Sequence, residues 1–351
     1  MRVMVTGATG YVGAFSVKAL LKAGHKVRLL VRDPAKAKAV LGALGITGKL
    51  DCVSGDMTDE AAVITALRGC KAVLHCAAVV TTDRRREAEM LHANPRGAEL
   101  VVGHAARLGL DPIVYVSSVA ALIDPGLDRL TTELPLGTLQ SAYARSKAAA
   151  EDFVRKWQDQ GVPIVITYPG SVTGPAAGTV LGEATQGIAS NIKLGSLPSH
   201  DAAWSLIDAR DLGAIHAALM VKGLGPRRFM CGGHYVRMED LATQLQRLTG
   251  RAFKVLPLPG ALLRGLGRAA DAIARVVPFD SVFTEEAMIC FTQQPPTDDR
   301  ATLRALGIRY RPVAQTLREA ILAARGAGLL DDEQIGKLAS SRSRRPKSPP
   351  S

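Results

Sequence analysis

Residues 1–33, MRVMVTGATGYVGAFSVKALLKAGHKVRLLVRD, decide the fold of this chain. Arg2–Thr6 and Val27–Val31 are short apolar runs typical of buried strands, and the pattern between them predicts a helix over Tyr11–Ala23. Gly24 stands where a glycine commonly ends a helix. Strand, helix and strand in this order predict a βαβ unit with parallel strands, as in a doubly wound α/β fold.

Three glycines, spaced three residues apart, lie in the turn between the first strand and the helix. Gly7 allows the tight turn, Gly10 lets the backbone approach a pyrophosphate, and Gly13 lets the helix lie close to the sheet. The free N–H groups of the helix N-terminus would bind the phosphates. The residues of this turn that we expect to contact a dinucleotide are Gly7, Thr9, Gly10, Tyr11, Val12 and Gly13. The alternative is a tight turn in an α/β domain without a cofactor.

The TGxxGxxG spacing resembles the extended short-chain dehydrogenase/reductase superfamily, which includes the NAD-dependent epimerases and dehydratases. The resemblance covers about residues 1–330 and implies a Rossmann-type, doubly wound parallel sheet in residues 1–167. A smaller substrate-binding region, partly interleaved with the first, is expected in residues 168–330. The cofactor should lie where the strand order reverses.

Composition limits the other possibilities. The 351 residues suffice for one large or two moderate domains. The five cysteines are odd in number and have no CxxC spacing, which favours a reducing compartment and argues against disulfides or zinc. Met1 runs directly into the first strand, without room for a signal peptide, and no apolar run approaches the roughly 20 residues that span a bilayer. We expect a cytoplasmic protein with no metal site.

The net charge of +12 does not by itself indicate a nucleic-acid partner. Four of the positive charges lie in residues 340–351, SSRSRRPKSPPS, and residues 339–351 are expected to form a disordered basic tail. The remaining charge suits an anionic cofactor. The sequence contains no nucleic-acid-binding motif, so we expect a small-molecule substrate.

The end of the second strand predicts which cofactor binds. A free ribose 2′-hydroxyl favours a carboxylate at this position, and a 2′-phosphate favours arginine. Here the strand ends in Val31 and Arg32, with Lys36 close behind, so the sequence favours NADP(H) over NAD(H). Alternatively, Arg32 only caps the sheet and Asp33 begins a helix. The VRDP sequence at residues 31–34 resembles the dihydroflavonol-reductase-like and related branches, in which the arginine meets the phosphate. Within the superfamily, the chain is most similar to the dihydroflavonol-reductase-like and 3-beta-hydroxysteroid-dehydrogenase-like branches.

Two further turns complete the expected cofactor site. The resemblance implies that Asp56, after the third strand, binds the adenine amino group and that Met57 lies beside the ring. Alternatively, Asp56 is only a turn or helix-capping residue. Ala77 and Ala78 follow the fourth strand, where small side chains let the backbone lie against the ribose. His75, at the end of that strand, is interpreted as a satisfied polar residue and not as a catalyst.

The expected catalytic residues are Ser118, Tyr143 and Lys147. Tyr143 and Lys147 are four residues apart and therefore lie on one face of a predicted helix. A phenol has an ordinary pKa near 10, and a neighbouring ammonium with the positively charged nicotinamide would lower it. By general acid–base logic, Tyr143 exchanges a proton with the substrate oxygen, Lys147 tunes Tyr143 and holds the nicotinamide ribose, and Ser118 binds the substrate oxygen. We expect Ser117 to serve the backbone or cofactor. The alternative is an amphipathic surface pair.

Two other segments resemble family motifs but differ from them at single residues. Asn94 lies in a predicted helix over 87–108 and matches the family's NxxG asparagine, while Pro95 predicts a kink or a restart. Pro169 and Gly170 resemble the RPG segment whose backbone meets the nicotinamide carboxamide, with Tyr168 in place of the frequent arginine.

A basic amphipathic pattern covers residues 262–277, with Arg264, Arg268 and Arg275. Such a helix can lie on anionic lipid, so peripheral membrane contact is possible, but it more often covers a pocket or a homodimer partner.

Three functions follow from this resemblance. The favoured one is an NADP(H)-dependent oxidoreductase that interconverts a ketone and a secondary alcohol on an apolar, ring-containing molecule. The second is a nucleotide-sugar epimerase or dehydratase that retains its cofactor; the absence of an acid next to Ser118 argues against the dehydratase. The third is a non-catalytic NADP-sensing protein, which would not need the three catalytic residues.

Overall fold

Helices cover both faces of a parallel sheet in this α/β fold. The computed structural model describes residues 1–81, 84–274 and 285–340. The strands within these ranges are β1 (Arg2–Thr6), β2 (Lys26–Val31), β3 (Asp51–Ser54), β4 (Ala72–His75), β5 (Ile113–Val116), β6 (Ile164–Pro169), β7 (Ser171–Thr173), β8 (Ser196–Leu197), β9 (Ala203–Asp208), β10 (Arg227–Cys231), β11 (His234–Arg237) and β12 (Lys254–Val255).

The α-helices occupy most of the residues between the strands. They are α1 (Tyr11–Lys22), α2 (Pro34–Ala43), α3 (Glu60–Leu67), α4 (Glu87–Arg107), α5 (Ala142–Asp159), α6 (Glu183–Leu194), α7 (Ala209–Ala218), α8 (Met238–Thr249), α9 (Gly260–Ala274), α10 (Glu285–Thr292), α11 (Arg300–Leu306), α12 (Val313–Gly326), α13 (Asp332–Ile335) and α14 (Lys337–Ser340).

The large sheet has seven parallel strands in the order β3-β2-β1-β4-β5-β6-β10. The order reverses between β1 and β4, which confirms the predicted doubly wound, Rossmann-type sheet. β5 and β6 are buried along their whole length, as their apolar sequences IVYV and IVITYP require for strands covered on both faces. Helices α1 and α7 pack together, as do α4 and α5.

The seventh strand comes from the region assigned to substrate binding. β10 pairs with β6 in parallel, from Arg227 opposite Val165 to Cys231 opposite Pro169. The segments before and after residue 167 therefore share one sheet. A smaller unit consists of the sheet β11-β9-β7 with α6, α8 and α12 around a separate apolar core that includes Ile188, Leu241 and Ile321.

Helix α4 continues through Pro95, so the restart predicted at this proline is wrong. A proline inside a helix removes one backbone hydrogen bond, but here residues on both sides of it are buried against the protein, among them Met90, Asn94 and Ala98. Tertiary packing thus holds the helix together across the proline.

Helix α9 presents its arginines to α10. Arg264 donates to Thr292 Oγ1 at 2.7 Å, and Arg268 binds the carboxylate of Glu285. Leu262 and Leu266 are instead about half exposed, at 49% and 54%. Residues 275–277 of the expected amphipathic helix, and the tail beyond residue 340, lie outside the described residues. Among the described residues, no helix has the length and apolar character needed to cross a membrane.

Candidate functional site

A cavity of about 270 Å³ opens at the switch point, at the carboxyl ends of β1, β2, β3 and β4. It is bounded by the glycine turn and by the three turns that follow the other strands. The predicted cofactor residues that line it are Gly7, Thr9, Gly10, Arg32, Lys36, Asp56, Met57, Ala77 and Ala78. Four segments that are distant in sequence therefore meet at one site.

The glycine turn is packed too closely for side chains. Gly7 has φ +75°, and a Cβ on it would lie 2.7 Å from the backbone nitrogen of Ala77. A Cβ on Gly13 would lie 2.1 Å from the carbonyl oxygen of Gly7, so Gly13 lets α1 approach the turn. Tyr11 donates to the Pro175 carbonyl oxygen at 2.8 Å and packs on Phe15. The Tyr11 side chain therefore stabilises the fold and leaves its backbone amide for a cofactor.

Arg32 lies at the rim of the cavity with a largely exposed guanidinium. Its side chain is 75% exposed, and its Nε lies 3.7 Å from Asp56 Oδ2. Asp56 Oδ1 accepts from the backbone N–H of Thr58 at 2.9 Å, so Asp56 also stabilises its own turn. Asp33 caps α2 by accepting from the Lys36 N–H at 3.0 Å. A helix does begin at Asp33, while Arg32 and Lys36 both remain at the cavity.

The structure brings Ser118, Tyr143 and Lys147 together beside the ends of β5 and β4. Ser118 follows β5, and α5 begins one residue before Tyr143, with Ser141 accepting from the Ala144 N–H at 3.2 Å as helix cap. A hydrogen bond between the side chains of Ser118 and Tyr143 lowers the tyrosine pKa. The serine and the phenol are therefore placed to bind one substrate oxygen.

Two larger effects raise the Tyr143 pKa above its ordinary value. Burial is the larger, and the carboxylate of Glu183 adds to it. In the protein alone, desolvation of the phenolate dominates the pKa of Tyr143. The lowering expected from Lys147 together with the positively charged nicotinamide stays a prediction for the cofactor complex.

Lys147 is 4% exposed, and burial lowers its pKa to about 8, opposed by interactions with the acidic groups of Glu151, Cys76 and Glu183. Its ammonium donates to the Val116 carbonyl oxygen at 2.8 Å and lies 5.2 Å from the centre of the Tyr115 ring. The buried ammonium is thus fixed at the carboxyl end of β5.

Asn94 joins α4 to α5, the helix of Tyr143 and Lys147. Its Nδ2 donates to the Val79 carbonyl oxygen at 3.0 Å and to Ser146 Oγ at 2.9 Å, and its Oδ1 accepts from the Val79 N–H at 2.7 Å. Ser146 in turn donates to the carbonyl oxygen of Tyr143 at 2.8 Å. Asn94 therefore supports both the turn after β4 and the first turn of α5.

His75 is a structural residue, as interpreted from the sequence. Its Nδ1 lies 2.7 Å from Thr6 Oγ1, and burial lowers its pKa to about 3, so the imidazole is neutral. Thr6 Oγ1 also accepts from the Ala77 N–H at 3.1 Å. These contacts hold the ends of β1 and β4 together under the cavity.

Ser117 does not face the cavity with its side chain. Its hydroxyl donates to Glu151 Oε2 at 2.5 Å in a fully buried contact. The carboxylate on α5 thus binds this hydroxyl, and a cofactor contact of Ser117 stays a prediction. Gly170 is enclosed by backbone as well: a Cβ there would lie 2.5 Å from the Gly232 carbonyl oxygen. Pro169 is the last residue of β6, where that strand meets β10.

Glu183 is the residue of this site that the sequence did not indicate. It begins α6, after Gly182, whose Cα packs closely on β7. Its carboxylate acts on both Tyr143 and Lys147, and burial raises its own pKa while Lys147 lowers it. Its carboxyl makes no hydrogen bond or ion pair with any residue in the described ranges. In the sequence, Glu183 is only an acidic residue in the first turn of α6, a common place for such residues.

Comparison with known proteins agrees with this geometry. Residues 3–232 match the model of the NAD dependent epimerase/dehydratase family. The chain is 27% identical to sterol demethylase protein B of Methylococcus capsulatus over 279 residues, 78% of this chain and 83% of the relative. It is 28% identical to a putative dihydroflavonol 4-reductase of Synechocystis over 338 residues, 90% and 92% of the two chains. A UDP-glucose 4-epimerase from Stenotrophomonas maltophila, solved with NAD, shares the fold with a TM-score of 0.73 and 17% identity, over 93% of this chain and 99% of that one.

The fold and the match define the class of protein, an NAD(P)-dependent oxidoreductase that acts on CH–OH groups. The chain belongs to the NAD dependent epimerase/dehydratase family, within the extended short-chain dehydrogenases/reductases. The nicotinamide dinucleotide is therefore its cofactor class.

Proposed function

We propose that the protein is an NADP(H)-dependent oxidoreductase that interconverts a ketone and a secondary alcohol on an apolar, ring-containing small molecule. The observation that carries this proposal is the meeting of Ser118, Tyr143 and Lys147 beside the cavity at the switch point. The names of the two relatives support the substrate class, since a sterol and a dihydroflavonol are both ring systems with oxygen substituents.

The residues around the cavity fit a dinucleotide. The backbone of the glycine turn would hold the pyrophosphate, Asp56 and Met57 the adenine, and the turn after β4 the ribose. Pro169 and Gly170 would bring backbone groups to the carboxamide. The bound cofactor supplies or accepts the hydride. Arg32 and Lys36 favour the 2′-phosphate form, because they place two positive charges at the adenosine end of the cavity.

The protein itself supplies proton transfer and orientation. In the reducing direction Tyr143 Oη gives its proton to the substrate oxygen, while Ser118 Oγ binds the same oxygen. A pKa that burial holds high suits a phenol that acts as a proton donor. Lys147 holds the nicotinamide ribose and stabilises the phenolate that forms, and Asn94 fixes the turn of α5 on which Tyr143 stands.

Glu183 favours a second candidate, the cofactor-retaining epimerase or dehydratase. The sequence has no acidic residue next to Ser118, such as a dehydratase would need. The structure brings the carboxyl of Glu183 to Tyr143 and Lys147 from a distant segment. In this second candidate Glu183 would be the acid or base beside the reacting carbon.

Titration of the purified protein with NADPH and NADH separates the two candidates. Tight binding of NADPH that exchanges freely with solution, followed by reduction of ring-containing ketones, would support the proposed reductase. NAD(H) that purifies with the protein and does not exchange would contradict it and favour the epimerase.

Tyr143→Phe tests the assigned proton transfer. The variant keeps the ring but lacks the hydroxyl, so we expect kcat to fall by about 10²- to 10⁴-fold with cofactor affinity nearly unchanged. Tyr235→Phe, at a partly exposed tyrosine whose hydroxyl binds the Gln294 carbonyl oxygen, is the control. Undiminished turnover in Tyr143→Phe would overturn the catalytic assignment.

A further inference from the structure

A fully buried carboxylate lies one helical turn beyond the catalytic lysine. Glu151 on α5 has no exposed side-chain surface. Its Oε2 accepts from Ser117 Oγ at 2.5 Å, and its Oε1 accepts from the Tyr168 hydroxyl at 2.5 Å and from Arg155 Nε at 2.7 Å. One carboxylate thus binds three donors from three elements.

These contacts join the segments that carry the proposed site. Ser117 immediately precedes Ser118 at the end of β5, and Tyr168 immediately precedes Pro169 at the end of β6. Glu151 itself stands on the helix of Tyr143 and Lys147. Its carboxylate therefore ties the ends of two strands to the catalytic helix.

The same carboxylate acts electrostatically on Lys147. Three negative or potentially negative groups face the lysine: Glu151 from α5, Cys76 from the turn after β4, and Glu183 from α6. His75 on β4 also faces it but is neutral, and the Tyr115 ring on β5 lies beneath the ammonium. Among the three acidic groups Glu151 has the largest influence. Burial disfavours the charged form of Lys147, and the negative charge of Glu151 offsets part of that effect.

Arg155 completes the network around Glu151. The family often has an arginine where this chain has Tyr168. Here the guanidinium comes from α5: Arg155 Nη2 lies 2.6 Å from Glu151 Oε1 and 3.1 Å from the Tyr168 hydroxyl, and Nη1 donates to the Leu134 carbonyl oxygen at 3.1 Å. The buried carboxylate is therefore paired without an arginine on β6.

We propose that Glu151 is a positioning residue for the reaction of the proposed function: its carboxylate maintains the positive charge of Lys147 and holds Ser118 opposite Tyr143. This inference rests on the proposed function. It assigns to Glu151 no contact with substrate or cofactor.

Glu151→Gln tests the effect of the Glu151 charge on the protonation of Lys147. Removing the carboxylate removes a contribution that raises the Lys147 pKa, so the lysine should lose its proton at lower pH. The limb of kcat/KM for ketone reduction that falls as pH rises should move down by about one pH unit, which is about a tenfold loss on that limb. Asp152→Asn is the matched control, because Asp152 is an exposed neighbour on α5 whose partner is Lys156. The control should keep the wild-type profile.

Glu151→Gln also leaves Arg155 unpaired in a buried site and can unfold the protein. Glu151→Gln/Arg155→Gln removes both charges and provides a second test, with thermal unfolding and NADPH titration to establish that each variant is folded. Ser117→Ala and Tyr168→Phe remove hydrogen bonds but keep the carboxylate. They should lower kcat without moving the pH limb.

A readout that needs no substrate separates this inference from the proposed function. The ε-carbon resonance of Lys147, in protein made with ¹³C-lysine and assigned by its loss in Lys147→Met, reports the lysine's protonation directly. A Lys147 titration midpoint that moves to lower pH in the folded Glu151 variants supports the inference. If the wild-type protein reduces no ketone, that failure overturns only the proposed function, and the midpoint still tests the inference. An unchanged midpoint and an unchanged pH limb in those variants would overturn the inference.

Discussion

At the residue scale, the proposed preference for NADP(H) depends on the guanidinium that follows β2. Arg32 keeps most of its surface exposed at the rim of the cavity, and within the described residues its ion-pair contact is a long one of 3.7 Å to Asp56. We expect Arg32→Ala to weaken NADPH binding by about 10- to 100-fold, the loss typical of a hydrogen bond to a charged group, with little effect on NADH. Fluorescence titration with both cofactors measures this.

Lys38→Ala is the control for that substitution. Lys38 is an exposed cation on α2, two residues after Lys36, and it is not among the residues that line the cavity. Equal losses of NADPH and NADH affinity in Arg32→Ala would mean that the arginine only supports the fold of the cavity.

The contrast between Arg32 and Glu183 shows how far the site could be predicted from sequence. Arg32, Asp56 and Tyr143 stand at fixed positions relative to strand ends or to one helix, so local spacing identifies them. Glu183 reaches the site through the packing of α6 on β7, and no local pattern encodes that contact. The burial that raises the Tyr143 pKa is likewise a property of the folded surroundings.

At the scale of elements, the approach of α1 to the glycine turn depends on a missing side chain. A Cβ on Gly13 would lie 2.1 Å from the Gly7 carbonyl oxygen, so Gly13→Ala must push the helix away from the turn. We expect a loss of about 1–3 kcal/mol in the free energy of unfolding, with weakened binding of both cofactors. Urea unfolding and cofactor titration measure the two effects.

Gly265→Ala in α9 is the control, and it should raise the free energy of unfolding. A Cβ at Gly265 would meet no atom within 4 Å, and the residue lies inside an exposed helical turn. Alanine should therefore stabilise the protein by about 0.5–1 kcal/mol through helix propensity. A Gly13→Ala variant as stable as wild type would refute the close packing of α1.

Elements were predictable where burial imposes a pattern. Strand β1 has the predicted bounds Arg2–Thr6 because a strand covered on both faces is a nearly continuous apolar run. The continuity of α4 through Pro95 was not predictable, since neighbours from other elements supply the packing that outweighs the proline. The contact of Arg268 on α9 with α10 was not predictable either, because its partner Glu285 is distant in sequence.

At the scale of the whole molecule, two buried histidines make stability depend on pH. Burial lowers the pKa of His75 and of His216 to about 3 in the folded protein. Both folded-state pKa values lie below the ordinary 6.5 of the unfolded chain. As the pH falls, the histidines of the unfolded chain therefore take up protons before those of the folded protein, and stability that is present above pH 6.5 is lost as the pH falls toward 3. We expect a loss of about 1.4 kcal/mol per pH unit for each histidine.

Urea unfolding between pH 5 and 7 measures this loss. His216→Gln removes one contribution and should flatten the dependence, whereas His200→Gln, at a half-exposed histidine, should leave it unchanged. A slope unaltered in His216→Gln would show that other groups cause the acid sensitivity.

The position of β10 has a consequence for biosynthesis. β6 is buried along its length, yet its outer neighbour is encoded more than 55 residues later, at Arg227–Cys231. While the chain leaves the ribosome, the six strands already made present an apolar, unpaired edge until that segment emerges. The nascent protein is therefore most exposed to mispairing of its strands in this interval. Premature termination of translation within it would release a product whose sheet has an unpaired edge at β6.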